Sequence, residues 1–300
     1  LLKITYHPIY VHPLPEGHRF PMVKYELLYK QLIYQGVVTL DNFFEPEKVD
    51  EEHIILAHSA DYWQRLKTMQ LSYHEIRRIG FPLSEQLIER ELRIVEGTIL
   101  SSLSALNEGV SFNIAGGTHH SGSDWGEGFC LLNDQAIAAA YLLNKKYCKK
   151  ILIIDLDVHQ GNGTAEIFKN NNRVFTFSMH CQNNFPFKKE VSDLDVALPD
   201  YTGDDEYLEL LAANLKMLFS REQPDFVFYL SGVDILASDK LGKLSVSENG
   251  CQERDLLVFQ YCKEYKVPVQ VSMGGGYSVQ LRAIVDAHCN TFKQALKVFY

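Results

Sequence analysis

Apolar residues gather in short runs along this chain. Positions 151–154 read ILII, and comparable, largely apolar runs occupy 112–115, 226–231 and 267–272. Runs this short, rich in β-branched and aromatic residues, suit inner strands of a parallel sheet buried on both faces. Elsewhere the pattern turns helical, which predicts helices over 21–34, 59–69, 84–106, 133–144, 204–219, 247–263 and 279–297. Asp204 and Ser247 are placed at, or next to, the caps of the helices that start there. Alternating strands and helices predict an α/β fold: a three-layer open parallel sheet, wound in both directions.

Composition adds limits. The chain has 300 residues, 46% of them hydrophobic, and no Pro-, Ser- or Gly-rich linker, low-complexity tract or repeat divides it. One domain over 1–300 is expected. A formal net charge of -9 speaks against a nucleic-acid surface, which needs clustered Lys and Arg. An acidic rim would favour cationic, lysine-bearing substrates by steering, although plain solubility accounts for the same charge. Six cysteines are scattered without a CxxC pair, as in the reduced, buried thiols of a cytoplasmic enzyme. Neither a signal-peptide core nor a membrane-length apolar run is present, so a cytoplasmic location without a membrane partner is expected.

The ends of the four runs change the picture. The first continues into Asp155, Asp157 and His159, which alternation along an extended segment would place on one side. The second continues into Gly116, Gly117, Thr118, His119 and His120; the third into Gly232, Val233 and Asp234; the fourth into Met273, three glycines and Tyr277. Ligands of open parallel sheets bind outside the carboxyl ends of the strands, so these residues would meet in one pocket. Asp157, His159 and Asp234 would offer a dication three ligands and leave a position open for water, whose pKa the ion would lower. One imidazole of His119 and His120 would carry the proton, and Tyr277 would donate to a carbonyl oxygen gaining charge. Together these parts describe metal-assisted hydrolysis of an amide. Taken singly, each has a duller use: a polar loop for the histidines, helix capping for Asp155, Asp157 and Asp234, core packing for Tyr277.

The blocks GGTHHSGSDWGEGFCLLND (116–134), DLDVHQGNGTAEIF (155–168), SGVDILASDKLGKLSVS (231–247) and GGGY (274–277) resemble the histone deacetylase family. HQGNG and DILASDKLG resemble its class IV branch and bacterial relatives. The likeness runs in order from HPIYVHPLPEGHRFPMVKYELL (7–28) to the carboxyl-terminal helix. It implies an arginase-like sheet and a zinc site at Asp157, His159 and Asp234, where a carboxylate-rich ligand set would also tolerate iron(II). It further implies a dyad of His119, partnered by Asp155, and His120, partnered by Asn162, with Tyr277 polarising the scissile carbonyl. Many family members have Asp where this chain has Asn162; an amide adds no negative charge, so His120 should be less basic than beside Asp. By the same resemblance Phe129 and Phe185 wall an acyl-lysine tunnel lined by Gly128 and Gly275, with Leu241 at the rim. A structural potassium ion is implied at Asp155 and Ser178. The implied substrate is an acyl-lysine protein or an acylated small molecule such as an acetylpolyamine.

Other chemistries fail on their residues. No GxxxxGK[ST], GxGxxG after a strand, or GxSxG is present, and the string begun by His74 and Glu75 has Arg78 where a zincin needs its second His. A two-metal ureohydrolase would need an Asp at position 161, where this chain has Gly161. A binder without activity would be expected to lack Tyr277 or a ligand, and none is missing.

Overall fold

The computed structural model describes residues 1–300. Its eight strands are β1 (Lys3–Thr5), β2 (Phe43–Phe44), β3 (Val110–Asn113), β4 (Ile151–Asp155), β5 (Val174–Cys181), β6 (Leu194–Leu198), β7 (Phe226–Leu230) and β8 (Val269–Ser272). They form one sheet in the order β2-β1-β3-β8-β7-β4-β5-β6, and every neighbouring pair is parallel. The helices are α1 (Lys24–Tyr34), α2 (Glu51–Ile54), α3 (Ala60–Lys67), α4 (Tyr73–Ile79), α5 (Glu85–Glu108), α6 (Asp134–Asn144), α7 (Asn162–Phe168), α8 (Asp204–Glu222), α9 (Glu248–Glu264) and α10 (Leu281–Phe299).

Consecutive residues of a strand point to opposite faces, and β3 shows how this layers the protein. Phe112 stacks on Phe292 of α10, whereas Asn113 donates to Ile94 O and Thr98 Oγ1 of α5. Helices therefore cover both faces. α5 comes close to the sheet because Gly97 stands at the contact: a Cβ there would lie 2.6 Å from Tyr10 Oη and 2.9 Å from Asn113 Nδ2. The four predicted strands are the sheet's middle members, β3, β8, β7 and β4, and all their residues are buried.

The predicted helices occur, each shifted by a few residues. Ser59, Ser84, Asn133 and Ser247 lie just outside, where their side chains cap α3, α5, α6 and α9 by accepting from backbone N–H groups. Asp204 is not a cap of its own helix. It is the first residue of α8, and its carboxylate accepts from Ser247 N and Oγ, tying the start of α8 to the start of α9. Asp155 and Asp157 do not cap α7 either; Gly161 occupies that position.

Candidate active site

The chain leaves β4 beside β7, with Leu156 N donating to Leu230 O, and then turns so that three ionisable side chains meet. Asp157 Oδ1 accepts from His159 N at 3.0 Å, and its Oδ2 accepts from Gly275 N at 2.8 Å, which joins the loop after β8 to the loop after β4. Asp234, from the loop after β7, accepts from Val158 N at 2.9 Å. A Cβ at position 275 would collide with Asp234 Oδ2, so glycine is what allows this approach. His159 Nδ1 lies 2.9 Å from Asp157 Oδ1 and 3.2 Å from Asp234 Oδ2, and one ligand atom from each residue falls within 4.8 Å of the others.

This cluster fits a cation. Both carboxylates are fully buried, and Asp234 Oδ2 has no hydrogen bond, a costly arrangement for an anion without a counter-charge. Burial and then the Asp157 charge push Asp234 up to about 7. Burial opposes the His159 cation, but the Asp157 and Asp234 carboxylates beside it outweigh burial and raise its pKa to about 10. A divalent ion would take over the work of that proton. Two carboxylates and one imidazole suit zinc or iron(II).

His119 and His120 follow β3 and lie side by side, ring centroids 4.1 Å apart. Gly163 N and Thr164 N of α7 both donate to His119 O, anchoring the pair to the helix that follows the ligand loop. His119 Nδ1 is 2.7 Å from Asp155 Oδ2, and His120 Nδ1 is 2.7 Å from Asn162 Oδ1. Burial disfavours the His119 cation, yet Asp155 and Asp157 outweigh it and raise its pKa. Burial, followed by the charges of His119 and His159, holds His120 well below the usual range; the Asn162 bond acts weakly the other way. The main cause of the low His120 pKa is therefore burial, not its amide partner.

Residues 18–292 match the histone deacetylase domain. The chain belongs to the histone deacetylase family. Histone deacetylase 2 of Arabidopsis thaliana is 30% identical over 290 residues, covering 93% of this chain and 75% of that protein. A protein of Picosynechococcus sp. is 44% identical over 296 residues, 99% of either chain. The crystal structure of the HDA15 HD domain shares the fold, with a TM-score of 0.84 at 22% identity over 99% of this chain and 88% of that one. The chain is accordingly a deacetylase-type amidohydrolase.

In this member of the family, a cleft of about 420 Å³ leads to His120, His159 and Tyr277 and is lined by Gly128, Phe129, Phe185 and Leu241. Phe185 meets His120 edge-on at 4.9 Å, and Phe129 packs against Phe20 and Phe81 at 5.2 Å from each. Phe129 holds φ of 69°, rare for a bulky residue, and its N–H is fixed on Ile79 O at 2.7 Å. Gly275 lines the deeper pocket that shares His120, Gly128, Phe129, His159 and Tyr277 with the cleft, and its N–H is held by Asp157. No acidic rim that would steer a cationic substrate surrounds the cleft. The charged residues of the cleft are Arg19, Arg78 and Lys243, with no carboxylate among its lining. Arg78 and Lys243 pair with Glu127 and Asp200, whereas Arg19 has no carboxylate partner and stands 4.9 Å over the Phe129 ring. Burial, then the Asp157 and Asp234 charges, hold the Tyr277 phenol well above its usual pKa, so it remains a donor.

Three supporting residues were not singled out from the sequence. Asp239 accepts from Tyr277 N at 2.6 Å, Leu241 N at 2.8 Å and Gly242 N at 2.9 Å, setting the tyrosine and the rim together. Asp134, fully buried, accepts from Thr118 N and Oγ1 and from Thr98 Oγ1, and so braces the loop of the histidines. Arg254 on α9, paired with Asp255, donates to Leu156 O and Gly232 O, beneath the loops that carry the three ligands. Asp239 and Asp134 stand inside the quoted motif blocks, which was their one signal; Arg254 had none.

Proposed function

We propose that the protein is a single-domain, zinc-dependent deacylase of the class IV type that hydrolyses N-acyl-lysine, with iron(II) able to serve in place of zinc. The observation that carries the reading is a pair of histidines, His119 on Asp155 and His120 on Asn162 at 2.7 Å each, beside a buried three-ligand cluster. Asp157, His159 and Asp234 would hold the ion, which when bound supplies Lewis acidity toward water and the amide carbonyl. His120 accepts the proton of the attacking water at Nε2 and returns it to the lysine nitrogen as it leaves. His119, held on Asp155, would stabilise negative charge building on the acyl group when it carries its proton. Tyr277 donates its hydroxyl to the carbonyl oxygen, and Phe129 and Phe185 confine the lysine stem while excluding water.

Asp155 and Ser178 are paired in register across β4 and β5, which supports a structural potassium ion between those strands. A core of 80 buried residues that runs from Leu2 to Ala295 supports one domain. All six cysteines are free and buried, in keeping with a cytoplasmic location, and no helix is long and apolar enough to cross a membrane. Between the two substrate classes, unpaired Arg19 at the mouth favours an acyl-lysine peptide, since an acetylpolyamine would bring further positive charge to it. The test is a turnover panel of lysine peptides and polyamines bearing acetyl to long fatty acyl groups. Acyl-lysine peptides are expected to give the highest kcat/KM; acetylpolyamines turning over faster at every acyl length would overturn the assignment.

A further inference from the structure

Glu127 is a buried carboxylate with no part in the reaction described so far, yet it closes a chain of side chains that ends on the dyad. Its Oε2 accepts from Arg78 Nε at 2.5 Å, and its Oε1 accepts from Asn162 Nδ2 at 2.5 Å. Asn162 Oδ1 in turn meets His120 Nδ1 at 2.7 Å. Arg78 is partly exposed at the cleft, so the chain runs from the mouth of the site to its base.

An asparagine side chain has one donating end and one accepting end, whereas a carboxylate paired with arginine can only accept. Glu127 therefore demands the Nδ2 end of Asn162. The Oδ1 end is left for His120, and because a carbonyl oxygen cannot donate, His120 Nδ1 must carry its ring proton. Nε2 is then bare and faces the site. An amide alone could not enforce this, since turning it by half a revolution would offer His120 a donor and reverse the tautomer.

We propose that Glu127 is a positioning residue that sets the tautomer of His120 by fixing the direction of the Asn162 amide. The proposal rests on the reading of His120 as the proton carrier, and its test separates the two. Glu127→Gln keeps the shape but can donate, so the amide can reverse. The expected result is a fall in kcat of about 10- to 100-fold, part of what a general base contributes, with KM and metal content unchanged. Asn162→Asp sets two carboxylates against each other and should also lose activity. The double variant, Glu127→Gln with Asn162→Asp, restores an acceptor for His120 and a donor for Asp, so kcat should return to within roughly threefold of the parent.

Nitrogen-15 spectra of ring-labelled histidine, assigned with His120→Ala, read the tautomer without reference to turnover. The parent and the double variant should hold the His120 proton on Nδ1, and Glu127→Gln should move it to Nε2. An unchanged tautomer in Glu127→Gln overturns the proposal. A moved tautomer with undiminished kcat upholds it and instead removes His120 from proton transfer. Should Glu127→Gln alone fail to fold, the double variant decides: near-parental turnover supports the chain, and a folded, metal-loaded but inactive double variant refutes it.

Discussion

His119 and His120 are neighbours in the chain and lie 4.1 Å apart, but they belong to different halves of the site. His119 looks to the floor, where Asp155 and Asp157 surround it with negative charge and raise its pKa after burial is overcome. His120 looks to the cleft, where it meets an amide and the edge of Phe185, and burial lowers its pKa. Identical side chains thus have their pKa values moved in opposite directions, upward by the carboxylates beside His119 and downward chiefly by burial at His120. Such a division marks acid and base assignments in hydrolytic sites generally.

Breaking the comparison on the cleft side should have the largest effect. His120→Ala is expected to lose about 10²- to 10⁴-fold in kcat while retaining its metal, as measured by steady-state kinetics beside elemental analysis. Tyr277→Phe comes next, with kcat down by about 10²- to 10³-fold and little change in KM, because the hydroxyl matters most when charge has built on the oxygen. On the floor side, His119→Ala should cost only about 10- to 100-fold, since this residue supplies charge without carrying the proton. A His119→Ala defect larger than that of His120→Ala would reverse the assignment of the two. Smallest of all, Arg19→Glu should raise the preference for acetylpolyamine over acyl-lysine peptide by roughly threefold to tenfold at low salt, an advantage that added salt erodes.

The floor was far more legible in the sequence than the mouth. β3, β4, β7 and β8 are wholly buried, and each leads directly into its chemical residues, so local pattern sufficed. β5 is equally buried but alternates apolar residues with Thr176, Ser178 and His180, which hides it from a search for apolar runs. β1 and β2 have only 3 and 2 residues, and β6 at the sheet edge is mostly half-exposed, so none carries a strong signal. The supports of the mouth depend on partners far apart in the chain: Arg78 reaches Glu127 across 49 positions, and Asp239 reaches Tyr277 across 38. No periodicity records such pairs. Arg78 illustrates the point, because the residue that spoils a zincin motif on α4 turns out to hold the carboxylate behind Asn162. A net charge of -9 likewise says nothing about where three basic side chains gather.

The most direct test of the central claim is a metal titration of the stripped protein, followed by turnover of an acyl-lysine peptide and by elemental analysis. Three protein ligands around one ion predict that activity is lost on chelation and returns to a plateau at about one equivalent of zinc or iron(II) per chain. Activity that survives complete removal of metal, or a plateau reached only at two equivalents, would contradict the account.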